Sequence, residues 1–398
     1  MSPSAQVVYG AGTAATALTQ QPAWSVQEPV RALLLARDAR DLQQKSDVTR
    51  WKTQFHVLSF HVDRYPVKLF INALTGLPMM VEATISIRDA SSSNIAWNAL
   101  GDVVERSEFT NWDRKGDVRY PVQINVYRNG APVKILLRAA VDVDLPADMS
   151  AVSSLPTAPS PAFKDLDELK LGEAIPQAPD PARPIEEIAA GVVQIPGGWY
   201  STIIRQDDGI VIVDAPISAG YSRRVLAEAN RRFPGLRIKA LITSTAFRWH
   251  VAGIREYVAR GIPIYAREQN VEAIEEIARS PHTLDPDSLA RAPRAAMIRV
   301  VTMPMAIGTG QNAVQVLPIK YGEQPMLMTW LPNANLLHTA EMVQPLGPEG
   351  SLILPEALSE IQRTVAEAKV PTKGLRVIGM HMSPTPWTAI GEAISKLS

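Results

Sequence analysis

Apolar residues along this chain fall into two kinds of run, and the change comes near its middle. Between about 50 and 145 the runs are short: Phe55 to Phe60, Val67 to Ile71, Met79 to Ile87, Val122 to Tyr127 and Val133 to Val141. Val122, Ile124 and Val126 alternate with polar residues, as in an antiparallel strand with one solvated face. Asn129-Gly130 lies between the last two runs and is a two-residue hairpin signal, because both positions of the favoured turn need positive φ. Further on, Val192 to Ile195, Ser201 to Arg205 and Ile210 to Val213 read as strands. The last two are joined through Asp208-Gly209 as a hairpin. Tyr221 to Arg232 then carries apolar residues at helical spacing, and Ile238 to Thr243 is an apolar run of buried-strand length.

Between these regions the prolines cluster, at 146, 156, 159, 161, 176, 179, 181 and 184. That density is incompatible with a regular helix or a central strand and marks a connector, with a short helical piece expected near Asp165 to Leu171. The expected organisation is an N-terminal tail or arm over 1–28, a β-rich domain over 29–145, a Pro-rich linker over 146–188 and a second domain over 189–398.

Composition narrows the function classes only a little. The 398 residues are 46% hydrophobic, enough for substantial cores. The 40 basic and 40 acidic residues cancel, so no overall field recruits nucleic acid or an anionic membrane. There are no cysteines, which excludes disulfides and thiolate metal sites. No apolar run approaches the roughly 18 residues of a membrane span. Residues 1–28 lack a basic stretch followed by an apolar core, so no signal peptide is read there. Gly308-Thr309-Gly310 lacks the later glycine of a dinucleotide fingerprint and the lysine of a P-loop. A small-molecule substrate is therefore the expected partner, with the oligomeric state open.

The stretch Leu241-Ile-Thr-Ser-Thr-Ala-Phe-Arg-Trp-His250-Val-Ala-Gly253 resembles the metal-binding loop of the metallo-β-lactamase superfamily, Ser-His-x-His-x-Asp-His-x-x-Gly. Ser244, His250 and Gly253 match that pattern. Thr245, Phe247 and Trp249 stand where the family has His, His and Asp. The run ending in Asp214-Ala-Pro216 resembles an early strand of the family, whose Asp steadies the metal loop. Tyr321 to Pro332 resembles a further segment, with Gly322 at a histidine position. Leu336 to Glu341 resembles the strand ending in a bridging carboxylate, and Leu375 to His381 the last histidine strand. The resemblance covers roughly residues 190–398. It implies an α+β chain: an αββα metallo-β-lactamase-like sandwich behind a separate antiparallel β domain. The β domain is similar to a lipoprotein-carrier half-barrel in its Thr75-Gly-Leu-Pro78 turn and its Gly116 to Pro121 segment. Related proteins with this layout are often exported, which leaves a removed leader, and the compartment, open.

The resemblance leaves three polar groups at the centre: His250, Glu341 and His381. The ligands of an ordinary two-metal site are otherwise replaced by side chains with no lone pair to give, or, at Thr245, by a neutral hydroxyl. The expected reading is a centre without a cofactor. His250 or His381 acts as base, Glu341 orients it, Thr245 is the one candidate nucleophile, and Phe247, Trp249, Tyr200 and Trp199 grip a hydrophobic substrate. Elimination, isomerisation, cyclisation or hydrolysis would follow. The alternative is one Zn or Fe ion on His250, Glu341 and His381, hydrolysing an ester, lactone, amide or sulfate. A third reading is a binding protein without turnover. Plainer structural readings stand beside these. His250 caps a helix beginning at Val251 or hydrogen-bonds a neighbouring carbonyl, Phe247 and Trp249 fill a vacated cavity with Trp249 tightening the centre, Asp214 is structural, and His338 lies behind the centre or packs. His282 is solvent exposed, His56 and His61 have no partners, and the methionines at 303, 305, 326 and 328 are apolar packing.

Overall fold

The structure is a computed structural model that describes residues 27–90, 92–138, 141, 164–175, 182–321, 324–344 and 355–395. The expected tail up to residue 26, most of the proline-rich stretch and Gly322 lie outside the described residues. Contacts divide the chain into two compact units, Met1–Ser86 with Asp102–Ala162, and Ile87–Gly101 with Phe163–Ser398. The excursion 87–101 thus leaves the first unit and belongs to the second.

The first unit is one antiparallel sheet whose seven strands lie in chain order: β1 (Gln43–Arg50), β2 (Thr53–Val62), β3 (Tyr65–Asn72), β4 (Pro78–Ser86), β5 (Asp102–Lys115), β6 (Val118–Arg128) and β7 (Ala131–Leu137). Helix α1 (Pro29–Asp38) packs on β2, β3 and β4 through buried Ala32 and Ala36. The Asn129-Gly130 hairpin forms as expected, with φ of 46° and 84°. β7 stops at Leu137, short of the expected Val141. β1 is almost wholly polar and exposed, which is why no apolar pattern announces it. His56 and His61, expected to be without partners, face Asp47 at 3.0 Å and Asp41 at 2.6 Å on this exposed sheet surface.

The second unit is the αββα sandwich. Its first sheet runs β8 (Glu186–Ala189), β9 (Val192–Ile195), β10 (Ser201–Gln206), β11 (Gly209–Val213), β12 (Ile238–Ile242), β13 (Ile264–Ala266) and β14 (Ile298–Val300), antiparallel as far as β11 and parallel beyond it. Its second sheet contains β15 (Met305–Ile307), β16 (Val314–Tyr321), β17 (Gln324–Leu331), β18 (Leu336–His338), β19 (Arg376–Gly379) and β20 (Met382–Pro386). Between the sheets lie Ile204, Val213 and Ile242 from one and Val316, Leu327 and Ile378 from the other, all buried. That double-sided burial explains why the strands read as apolar runs rather than alternations.

Each sheet has its own helical cover. α2 (Ser92–Asn98), α3 (Ala219–Arg232), the single turn α4 (Arg248–Val251), α5 (Ile254–Ala259), α6 (Val271–Arg279) and the single turn α7 (Ser288–Arg291) accompany the first sheet, whose outer core includes Ile95, Val225, Tyr257 and Ile277. α8 (Pro355–Glu367) and α9 (Thr388–Ser395) belong to the second, through Leu358, Ile361 and Ile390. Met326 and Met328 belong to this apolar packing, whereas Met303 is exposed. α3 starts on Ser218, whose hydroxyl accepts from the Tyr221 N–H at 3.1 Å. It ends with Arg231 and Arg232 beside its negative pole.

Two close approaches fix this framework. Arg255 and Asp287 form a buried pair at 2.6 Å, and Arg255 Nη1 also donates to the carbonyls of Ile277, Ala278 and Ser280. Gly253 has an ordinary φ of −96°, but a Cβ there would lie 2.0 Å from Ser222 Oγ and 2.6 Å from the Ser218 carbonyl. The loop after β12 therefore lies directly on the first turn of α3. Gly253→Ala forces the two apart and is expected to destabilise the chain by about 1–3 kcal/mol, as overpacking of a tight contact does. Chemical denaturation of the two proteins measures this, and an unchanged midpoint would refute the close approach.

Candidate active site

The polar centre is assembled at the C-terminal ends of four strands. β11 delivers Asp214 and β12 delivers the loop 243–250, the strands being parallel with Val213 opposite Ile242. β18 and β19 are also parallel, with His338 opposite Ile378. Glu341 lies three residues past the end of β18, and His381 lies in the turn between β19 and β20. The chain turns sharply here: Ala340 has φ 57°, and its carbonyl accepts from Met380 N at 3.0 Å. Ligands in open α/β sheets commonly meet this end of the strands.

One donor atom from each of His250, Glu341 and His381 lies within 4.8 Å of the others. His250 Nε2 is 3.8 Å from Glu341 Oε2, longer than a hydrogen bond. The His250 and His381 rings meet at 6.2 Å between centroids. Burial, then the charges of His381 and His338, hold the His250 pKa well below the usual imidazole value, so His250 is neutral. Burial raises the Glu341 pKa against the opposing influence of His381. The 3.8 Å contact is therefore not an ion pair. Neither His250 Nδ1 nor Glu341 Oε2, both buried, has a hydrogen-bond partner.

Aromatic rings flank the centre unevenly. Trp199 stands edge-on to His381 at 5.8 Å and Phe247 edge-on to His250 at 6.0 Å. Trp249 is 37% exposed, because neighbouring residues on the turn α4 point in different directions. Tyr200 is fully buried, and its backbone N–H donates to Met380 O at 2.9 Å, tying β10 to the segment before His381. Thr245 is buried, and its hydroxyl accepts from Phe247 N at 3.2 Å. His250 does not cap a helix: α4 begins at Arg248, with Phe247 as its N-cap residue and no side-chain cap.

Beneath the centre lies a second buried layer. Asp214 accepts from both the backbone N–H and the hydroxyl of Ser244 at 2.7 Å, locking the loop after β12 to β11. His338 Nε2 lies 3.8 Å from Asp214 Oδ2, while its Nδ1 accepts from Ala340 N at 3.2 Å. Strand alternation was expected to separate His338 from Glu341, but the strand ends at His338 and the turn at Ala340 intervenes. His338 was expected behind the centre or in packing, and it stands in this buried layer. His282, expected to be exposed, is only 11% so, with Nδ1 3.8 Å from Asp287.

No protein-family model matches this chain, and no curated protein matches it. Among solved structures, it is similar to a stereoselective inverting sec-alkylsulfatase from Pseudomonas sp. The two share 16% identity over 53% of this chain and 40% of that one, with a TM-score of 0.40. It is also similar to a metallo-beta-lactamase from Pontibacter korlensis, at 13% identity over 54% of this chain and 98% of that one, with a TM-score of 0.40. The chain thus spans less than half the length of the alkylsulfatase.

Burial raises the Asp214 pKa to about 7, against the hydrogen bonds from Ser244, and lowers that of His338 to about 4. Between those two values the contact is one between largely neutral groups. Between about pH 4 and 7 the folded chain keeps an Asp214 proton that the unfolded chain has released, so this residue's contribution to stability falls as pH rises. His338 acts in the opposite sense, and only a difference measurement isolates Asp214. The stability of wild type relative to Asp214→Asn should decline across that window by on the order of a few kcal/mol. A flat difference in denaturation free energy against pH would show that Asp214 is ionised in the fold.

Proposed function

We propose that the second unit is a hydrolase of a small, largely apolar organic substrate, and that His250, Glu341 and His381 hold one divalent cation. The observation that carries this is the convergence of two imidazoles and a carboxylate within 4.8 Å, a donor set typical of mononuclear zinc and non-haem iron centres. A neutral buried His250 supports it, because a metal binds the deprotonated imidazole nitrogen. The buried Glu341 Oε2 without a hydrogen bond would gain its missing partner. A second cation is not part of the proposal, since Phe247 offers no donor atom and the Thr245 hydroxyl is engaged by Phe247 N.

Bound there, a cation would supply Lewis-acid polarisation to the carbonyl or sulfate ester being cleaved. The protein's own contribution is positioning and exclusion of water. Trp199 and Phe247 shield the two imidazoles and give an apolar substrate its contact surface. Glu341, with 26% of its side chain exposed, is far more accessible than His250, which supports approach of the substrate from the Glu341 side.

One observation favours a second reading. Metal-bound imidazoles usually donate their other N–H to an outer partner, and His250 Nδ1 has none. In the metal-free alternative His250 or His381 takes a proton from the substrate while Glu341 orients it, and elimination, isomerisation or cyclisation results.

Elemental analysis and chelator treatment separate the two. About one equivalent of Zn or Fe per chain is expected in wild type and none in His250→Ala, with turnover of esters, lactones, amides or sulfates falling on the order of 100-fold or more in the variant. Turnover by metal-free protein that ignores chelator would sink the cation and leave acid–base catalysis. Ligand-induced stabilisation without any turnover would indicate a binding protein.

A further inference from the structure

A basic pocket lies in the second unit where α6 ends and the chain runs through 280–287 into α7. It encloses about 670 Å³, within the roughly 300–1,000 Å³ of small-molecule sites. None of the three centre residues lines it. Its charged lining is one-sided: Arg255, Arg279, Arg294 and His282 contribute and no carboxylate does.

The three guanidinium groups differ in how far they are already committed. Arg255 is buried, and both its faces are engaged by Asp287 and by three carbonyls, so it holds the wall. Arg279 meets Glu275 one helical turn back at 3.0 Å, leaving 70% of its side chain exposed. Arg294 makes no hydrogen bond or ion pair with another described residue. It is exposed, with Nη1 close to the backbone at Gly261, where a Cβ would fall 2.2 Å from it.

The loop that carries His282 is held by close contacts. Ser280 Oγ donates to the Ile277 carbonyl at 2.7 Å. Gly101, at φ +66°, lies so close that a Cβ would come within 2.4 Å of the His282 ring and 2.3 Å of the Pro281 carbonyl.

We propose that this pocket binds a small organic phosphate monoester, or a phosphonate of the same shape. Guanidinium groups present paired N–H donors that match phosphoryl oxygens, and a dianion would meet Arg294 together with Arg279, whose charge is shared with Glu275. The volume exceeds that of the anion itself, and Leu289, Pro286 and Pro293 give an apolar surface for the organic part. Binding here requires nothing of His250, Glu341 or His381.

The test is calorimetric titration of the full chain with phenylphosphonate, which no phosphatase activity can consume, at pH 8 and low ionic strength. Inorganic phosphate and benzoate serve as comparison probes. Saturable binding at one site per chain is expected, with both comparison probes at least about tenfold weaker. Arg294→Ala and Arg279→Ala should each weaken phenylphosphonate by about tenfold, and Arg291→Ala, outside the pocket, should leave it unchanged. Both arginines are exposed, and unfolding midpoints without ligand confirm that the variants fold. No saturable binding overturns the site, as does an affinity unaltered in both pocket variants. An equal loss in Arg291→Ala would show only general attraction to positive charge. Equal affinity for inorganic phosphate removes the organic part from the assignment, and equal affinity for benzoate removes the preference for a dianion.

Discussion

Two parallel strands in register decide where the chemistry of this molecule sits. β18 and β19 pair His338 with Ile378, and the hydrogen bond from Met380 N to Ala340 O joins the two turns that carry Glu341 and His381. A slip of one residue would turn these side chains to opposite faces. The register is held from both sides, because Leu336, Leu337, Val377 and Ile378 are all buried, and no shift can move one of them to solvent without loss. The third member, His250, arrives on a different sheet. Its loop is tied down by Asp214 through Ser244 and by Gly253 lying on α3. The centre is thus a meeting of two sheet ends, each fixed by its own core.

The electrostatics of that meeting follow from burial. His250, His338 and Asp214 are nearly inaccessible, and desolvation drives all three toward their neutral forms. Neutral groups cost less to bury than ions, but they still need partners, and several polar atoms here have none. A fold whose only concern was stability would replace such a layer with apolar side chains at no loss. Its retention at the mouth of the strand ends is physically intelligible if something enters to complete it, whether a cation or a polar substrate group.

Much of the second unit was legible in the sequence. Apolar runs of strand length, the Asp-Gly hairpin and the amphipathic Tyr221 to Arg232 segment marked strands and a helix, the resemblance of the loop around His250 implied the αββα sandwich, and that architecture is present. The places where reading failed share one cause. β1 is polar because it is an exposed edge, so periodicity has nothing to register. His282 is covered by Gly101, nearly two hundred residues away, and no local pattern reports a distant neighbour. Sequence conveyed which segments are strands and helices, but not what tertiary packing brings to each.

Phe247 shows how those two levels combine. Standing at the N-cap position of α4, it has no side-chain hydrogen bond to offer the helix. Its ring instead packs against the core beneath the second sheet, alongside residues such as Met328 and Leu337, while its edge meets His250. It therefore joins the loop of one sheet to the interior of the other at the point where the centre forms. A ring in that position positions His250 by contact rather than by hydrogen bonding, which is consistent with an Nδ1 that has no partner. The orientation of His250 thus depends on apolar packing on one side and on the backbone hydrogen bonds from Ala215 to His250 O and from His250 to Phe247 O on the other.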